Sequence, residues 1–61
     1  MNRRTFLRHL QAQGVALLRE GKRHSIYWNP LSNKTSSVPL HTEVHEFLAR
    51  KICRDLDILE P

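Results

Sequence analysis

The sequence predicts a small α+β domain in the order α-β-β-β-α, with a three-stranded antiparallel sheet and two helices packed on one face of it. Three observations support this fold class: helix-period apolar residues towards each end of the chain, three short β-compatible runs between them, and turn formers that separate those runs. Because the chain has 61 residues, we expect a single domain over residues 1–61 with a thin core and no deep cleft between domains.

The first helix is predicted to begin after Asn2, whose side chain can cap it, and to end at Gly14, which can adopt the left-handed conformation. Arg4 and Arg8 share one face, which is either solvated surface or a face that lies along a phosphate backbone. The apolar positions lie on a different face: Phe6, Leu7 and Leu10.

Three strands are predicted in the middle of the chain, at residues 15–20, 25–29 and 34–38. Gly21 separates the first run from the second, and the turn formers at 29–33 predict a hairpin loop between the second run and the third. Strand alternation puts His24 on the same face as Ile26 and Trp28, which we expect to point towards the core. As the first residue of its strand, His24 can instead lie beyond the sheet edge or be re-aimed by a bulge.

The last helix is predicted from about residue 43 to residue 57, with Thr42 as its N-cap. Glu46 and Arg50 fall on its polar face at the favourable i, i+4 spacing, and Cys53 falls near the back of the helix by phase. One apolar stripe is expected to cover the sheet: Val44, Leu48, Ile52 and Leu56.

Positive charge is concentrated in the first two thirds of the chain. The net charge is +4, but residues 1–40 hold seven Lys or Arg and one acid, whereas residues 41–61 hold three Lys or Arg and five acids. A basic surface of this kind favours a polyanionic partner, although a charge that serves only solubility gives the same balance.

Several classes of protein do not fit the sequence. Cys53 is the single cysteine, which excludes an internal disulfide and fits a reducing compartment. No apolar run approaches the ~20 residues of a membrane span and no signal-peptide pattern opens the chain, so we expect a cytoplasmic protein without a membrane partner. Paired carboxylates, a phosphate-binding loop and a Ser-His-Asp arrangement are also missing.

The stretch GKRH at residues 21–24 holds the candidate chemistry. An imidazole titrates near neutral pH, so His24 can act as a general acid/base. Lys22 and Arg23 can hold a phosphate and stabilise negative charge that develops on it, and Gly21 lets backbone come close. Since the 2′-hydroxyl of RNA is its own nucleophile, such a site can cleave RNA without a metal or a cofactor. An exposed basic turn with no catalytic role contains the same residues.

The other histidines are weaker candidates. His41 and His45 stand four residues apart, a spacing that can seat a metal, but Cys53 lies too far round the helix to join them. We therefore predict no metal site. His41 alone can help to bind an anion, because the predicted helix brings it near a positive N-terminus. His9 has no acidic neighbour in sequence and is expected at the surface.

After an opening helix, five short segments follow one another in a recognisable order, and the whole pattern extends from about residue 3 to residue 58. Together they resemble the HicA-type toxins, which are small mRNA interferases of type II toxin–antitoxin systems with a double-stranded-RNA-binding-domain-like fold. The segments are QGV (13–15), GKRH (21–24), IYWNP (26–30), VPLH (38–41) and ARKICRDLDI (49–58).

The resemblance implies a ribosome-independent endoribonuclease with His24 as the catalytic histidine and Gly21 as the glycine that opens the motif. It also implies an mRNA substrate, a HicB-type antitoxin that covers the site, and a match of His41 to the histidine of the family's Val-Pro-x-His segment. Lys22 and Arg23 depart from the family pattern, which often has a serine after the glycine and a histidine or an asparagine before the catalytic residue. That departure bears on how the scissile phosphate is held.

The RNA-binding residues are accordingly predicted to come from the turn, the first helix and the Val-Pro-x-His segment. A rival interpretation is a non-catalytic RNA- or DNA-binding module of the same fold, which needs the basic residues but not His24. A purely structural interaction domain is a third interpretation, which the charge asymmetry disfavours. The predicted RNA contacts are Gly21, Lys22, Arg23 and His41, with Arg4 and Arg8 as outer contacts.

Overall fold

A computed structural model describes residues 1–61, and it confirms the predicted order of elements. The three strands form one antiparallel sheet with the second strand in the centre, so the domain belongs to the α+β class. No helix combines the length and the apolar character that a membrane crossing requires. The elements are α1 (Arg3–Ala12), β1 (Ala16–Glu20), β2 (His24–Asn29), β3 (Lys34–Pro39) and α2 (Glu46–Asp55).

One hydrophobic core joins both helices to a single face of the sheet. Its fully buried members include Phe6 and Leu10 of α1, Val38 of β3, and Ile52 and Cys53 of α2. The prediction that Cys53 lies near the back of the last helix is therefore wrong. The helix is rotated so that its most buried positions follow the i, i+3, i+4, i+7 pattern of Ala49, Ile52, Cys53 and Leu56.

The predicted ends of α1 are confirmed. The Asn2 side-chain oxygen accepts hydrogen bonds from the backbone N–H groups of Arg4, at 2.8 Å, and Thr5, at 3.4 Å. These bonds satisfy two of the donors that a helix N-terminus leaves free. Gly14 follows the helix with a φ of +84°, a conformation that glycine adopts without steric cost.

The start of α2 differs from the prediction, because the N-cap is His45 and not Thr42. Residues 42–44 pair instead with the beginning of the chain. The Arg3 N–H donates to the Thr42 carbonyl at 2.8 Å, and the Val44 N–H donates to the Met1 carbonyl at 2.7 Å. Because these bonds hold residues 42–44 against the start of the chain, the helix begins only at Glu46.

The two faces of β2 are the reverse of the expected ones. Ser25 and Asn29 are 0% and 3% exposed, and Tyr27 packs against the core, so these three residues point towards the helices. Ile26 and Trp28 therefore point away from the core, which corrects the prediction. The inner positions suit polar residues here because partners lie within reach: the Asn29 amide donates to a carbonyl at the end of α2 at 2.7 Å.

β1 is an edge strand with an irregularity in the middle. Leu17 pairs with Tyr27 and Arg19 pairs with Ile26, so Leu18 is an extra residue that forms a β-bulge. All five residues of this strand are exposed.

Candidate functional site

The turn between β1 and β2 is held tightly at its base. The Gly21 N–H donates to the His24 carbonyl oxygen at 2.8 Å. A Cβ at position 21 would lie 3.0 Å from that same backbone oxygen, so glycine is the residue that fits without a backbone shift. The closed turn leaves Lys22 and Arg23 exposed at its tip, where their cationic groups can meet a ligand from solvent.

His24 is the first residue of β2 and is exposed. The regular pairing of β2 with β3 places it on the outer face of the sheet, in one row with Ile26 and Trp28. No bulge is needed to turn it away from the core, because that whole row points outward. His24 is therefore accessible to a large substrate.

Four of the predicted site residues line one shallow cleft of about 510 Å³. Antiparallel pairing explains how they meet, because His24 lies opposite Pro39 and the Leu40 N–H donates to the Arg23 carbonyl at 3.3 Å. The chain beyond β3 is thereby drawn to the turn before β2, and His41 follows directly. The cleft is lined by Lys22, Arg23, His24, Pro39, Leu40 and His41.

His41 reaches the site by a different route from the one predicted. The sequence placed it near the positive end of a helix, but α2 begins five residues later and its N-cap is His45. The macrodipole acts mainly within the first turn, so it contributes little at His41. Strand pairing, and not the helix dipole, brings this imidazole beside His24.

Arg4 and Arg8 lie in a second, larger groove of about 960 Å³ between α1 and β1. Both side chains are exposed, and the groove also contains apolar residues such as Leu17. Leu40 lines this groove as well as the cleft around His24, so the two depressions adjoin. The predicted outer contacts are thus separate from the histidines but next to them.

Sequence reasoning missed the residues that support the cleft from inside. Arg3 donates from Nε to the Pro39 carbonyl at 2.8 Å and from Nη2 to Ser25 Oγ at 3.3 Å, and Ser25 Oγ donates in turn to Glu20 at 3.3 Å. This network ties α1 to the ends of β1, β2 and β3. The sequence did contain a signal for the role of Arg3. This residue lies three positions before Phe6 and seven before Leu10, which places it on the apolar face of the helix.

The remaining titratable candidates have structural roles. His45 accepts the Phe47 N–H at Nδ1 at 3.2 Å and stacks on the Phe47 ring with 5.6 Å between the centroids. The described chain contains no group of three or more His, Cys, Asp and Glu that could hold a metal ion. Burial raises the pKa of the Cys53 thiol, with a smaller contribution from Glu60, so the thiol stays protonated and is a poor nucleophile.

Comparison of the chain with protein-family models, with curated proteins and with solved structures finds no match. The resemblance to HicA-type toxins therefore stays a prediction that depends on the quoted motifs.

Proposed function

We propose that the protein is an endoribonuclease that cleaves mRNA, with His24 as its general acid/base. The observation that carries this proposal is the composition of the 510 Å³ cleft, in which two imidazoles and two cations surround one exposed depression. General acid/base groups and cations are the parts that cleavage of an RNA phosphodiester requires when the RNA supplies the nucleophile.

The reaction needs one group that accepts a proton and one that donates a proton. A neutral His24 removes the proton from a 2′-hydroxyl, and the resulting oxygen attacks the adjacent phosphorus. The bond from phosphorus to the 5′ oxygen then breaks, and His41 in its protonated form supplies the proton that this oxygen takes up. Lys22 and Arg23 bind the nonbridging oxygens, on which negative charge increases in the transition state. The products are a 2′,3′-cyclic phosphate and a 5′-hydroxyl.

The biological role that fits this activity is the toxin of a type II toxin–antitoxin pair in the cytoplasm. The support is the resemblance of the motifs to HicA-type toxins. A HicB-type antitoxin would inhibit the enzyme by covering the cleft. The exposed cations would speed the association with an acidic surface on that partner.

The decisive experiment maps the ends of RNA cut by purified protein with and without EDTA. We expect cleavage in both conditions, with 2′,3′-cyclic or 3′-phosphate ends, and resistance of substrates that carry a 2′-deoxy sugar at the scissile position. His24→Ala should abolish cleavage. His9→Gln is the control, because His9 lies outside the cleft and its Nε2 contacts the Leu59 carbonyl at 2.7 Å. Inhibition by EDTA, or full activity of His24→Ala, would overturn the mechanism.

The roles of Lys22 and Arg23 can be tested through the salt dependence of RNA binding. Each lost phosphate contact should reduce the slope of log affinity against log salt by roughly 0.7–0.9. The double variant Lys22→Ala/Arg23→Ala should therefore have a shallower slope by about 1.4–1.8. Arg50→Ala/Arg54→Ala removes two exposed cations of α2 and should leave the slope unchanged. Equal salt slopes for the two double variants would show that Lys22 and Arg23 do not contact RNA phosphates.

A non-catalytic nucleic-acid-binding module is the second candidate function. The groove with Arg4 and Arg8 favours it, because these cations lie next to the histidine cleft but not in it. A module of this kind would bind RNA with the same affinity whether position 24 is histidine or alanine, and it would produce no cut ends. The end-mapping experiment therefore separates the two functions.

A further inference from the structure

The outer face of the sheet is not covered by either helix, since both helices pack on the opposite face. We propose that this outer face binds single-stranded RNA and leads it to the His24 cleft, with Trp28 as the platform on which a base stacks. The proposal rests on the proposed function for the statement that the RNA leads to the His24 cleft. Binding of RNA to the outer face can be measured without cleavage. Strand alternation gives the outward side chains: Ala16, Arg19, His24, Ile26, Trp28, Thr35, Ser37 and Pro39.

Trp28 is suited to stacking because its ring is partly exposed and fixed in orientation. The indole N–H donates to Asn33 Oδ1 at 3.0 Å, and this bond holds the ring at the end of the β2–β3 hairpin. Unpaired bases stack on aromatic side chains in a largely sequence-independent manner. A ring that is already held loses little further freedom when a base binds to it.

The position of Trp28 relative to His24 fits one continuous strand of RNA. Both residues belong to the same outward row of β2, four residues apart, which corresponds to about 13 Å along the strand. A depression of about 480 Å³ lies at the β3 edge, with His24, Ile26 and Ser37 on the sheet side and α2 on the other side, and it stops short of Trp28. A nucleotide bound on Trp28 would thus belong to the same short stretch of RNA as the scissile phosphate.

The charges on this face are those expected for a polyanionic ligand. Arg19 is exposed on β1 opposite Ile26, and the depression has Lys51 at its rim. Glu20, the only acid among the first forty residues, points to the inner face, where it accepts the Ser25 hydroxyl. The carboxylate of Asp55 also borders the depression, but Lys51 binds it at 2.8 Å. The outward row itself carries hydroxyls and an arginine and no carboxylate, which favours RNA over a protein partner with a basic surface.

The test uses the fluorescence of Trp28, which is the single tryptophan of the chain. The probe is a short single-stranded 2′-O-methyl RNA, which lacks the nucleophile and is not cleaved, and the comparison probe is a duplex of the same sequence. We expect the single strand to quench the fluorescence on binding and the duplex to do so much less. Trp28→Leu should weaken binding of the single strand about 5- to 100-fold, measured with a fluorescent label on the RNA.

Two further variants keep the test informative if Trp28→Leu does not fold. Trp28→Phe preserves an aromatic ring and should stay within a few-fold of the wild type, and Arg19→Gln should weaken binding and reduce its salt dependence. Phe47→Leu is the matched control, because Phe47 is an exposed aromatic residue on α2, away from this face. Absence of quenching, or equal binding of single strand and duplex, would overturn the proposal and leave the face to another partner. Quenching without any cleavage by the wild type would refute the enzyme and retain the binding face.

Discussion

Arg3→Met should destabilise the protein far more than the same substitution one residue later. The Arg3 guanidinium makes two hydrogen bonds, to the Pro39 carbonyl at 2.8 Å and to Ser25 Oγ at 3.3 Å. Methionine retains an apolar stem on the buried face of α1 but cannot make either bond. A hydrogen bond from a charged donor contributes about 1.5–3 kcal/mol, and the longer bond adds less, so we expect a loss of roughly 2–3 kcal/mol.

This loss is large for so small a domain. A chain of 61 residues is expected to have a free energy of unfolding of about 3–9 kcal/mol. Urea denaturation followed by circular dichroism measures the change. With a slope of about 1 kcal/mol per molar urea, the midpoint should fall by about 2–3 M.

Arg4→Met is the matched control, because the Arg4 side chain is exposed and makes no hydrogen bond within the chain. Its free energy of unfolding should stay within about 0.5 kcal/mol of the wild-type value. If the two variants unfold at the same urea concentration, the hydrogen bonds of Arg3 do not stabilise the fold.

Three further predictions concern single side chains. Asn29→Ala should lower the free energy of unfolding by about 2 kcal/mol, because its buried amide donates to the Leu56 carbonyl at 2.7 Å; an unchanged urea midpoint would contradict this. Gly21→Ala should shift the amide NMR signals of the turn and lower RNA cleavage, since a Cβ would lie 3.0 Å from the His24 carbonyl; wild-type spectra would disprove the tight fit. The hydrogen bond from the lysine one turn earlier holds the pKa of Asp55 below its ordinary value, so this stabilisation is present at neutral pH and is lost as the pH falls through the lowered pKa. Asp55→Asn should thus be less stable than the wild type at neutral pH and similar to it in acid, and an equal difference at both pH values would count against the ion pair.

Local signals in the sequence predicted the elements wherever the deciding contacts are local. Asn2 caps the start of α1 through hydrogen bonds to the next few residues, and Gly14 ends the helix through its own backbone angle. Both positions were predicted. The start of α2 depends on pairing between residues 1–3 and residues 42–44, which no local pattern reveals. Thr42 is a good N-cap by type, but its carbonyl is already bound to the start of the chain.

The orientation of β2 shows a second limit of the sequence pattern. Hydropathy favours Ile26 and Trp28 as core residues over Ser25 and Asn29. The polar pair is buried because Arg3 and the end of α2 offer hydrogen bonds there, and these partners are far away in the sequence. Burial of polar groups with satisfied hydrogen bonds is a property of the assembled fold.

The candidate site was predictable only where its residues are neighbours in the sequence. Lys22, Arg23 and His24 are consecutive, so any fold keeps them together. His41 joins them because β3 pairs with β2 in a register that places Pro39 opposite His24. The supporting role of Arg3 needed the packing of α1 against the sheet.

The bulge in β1 also affects how copies of this chain meet one another at high concentration. An unpaired edge with exposed Leu17 and Leu18, at 49% and 57%, would ordinarily template the addition of a strand from a neighbouring molecule. The extra residue at Leu18 breaks the even spacing of free N–H and C=O groups, so a straight incoming strand loses register after two residues. The other edge, β3, lies beside α2, whose Asp55 carboxylate accepts the Ser36 hydroxyl at 3.2 Å. The bulge thus hinders the growth of a fibril at the β1 edge, while the outer face of the sheet stays open.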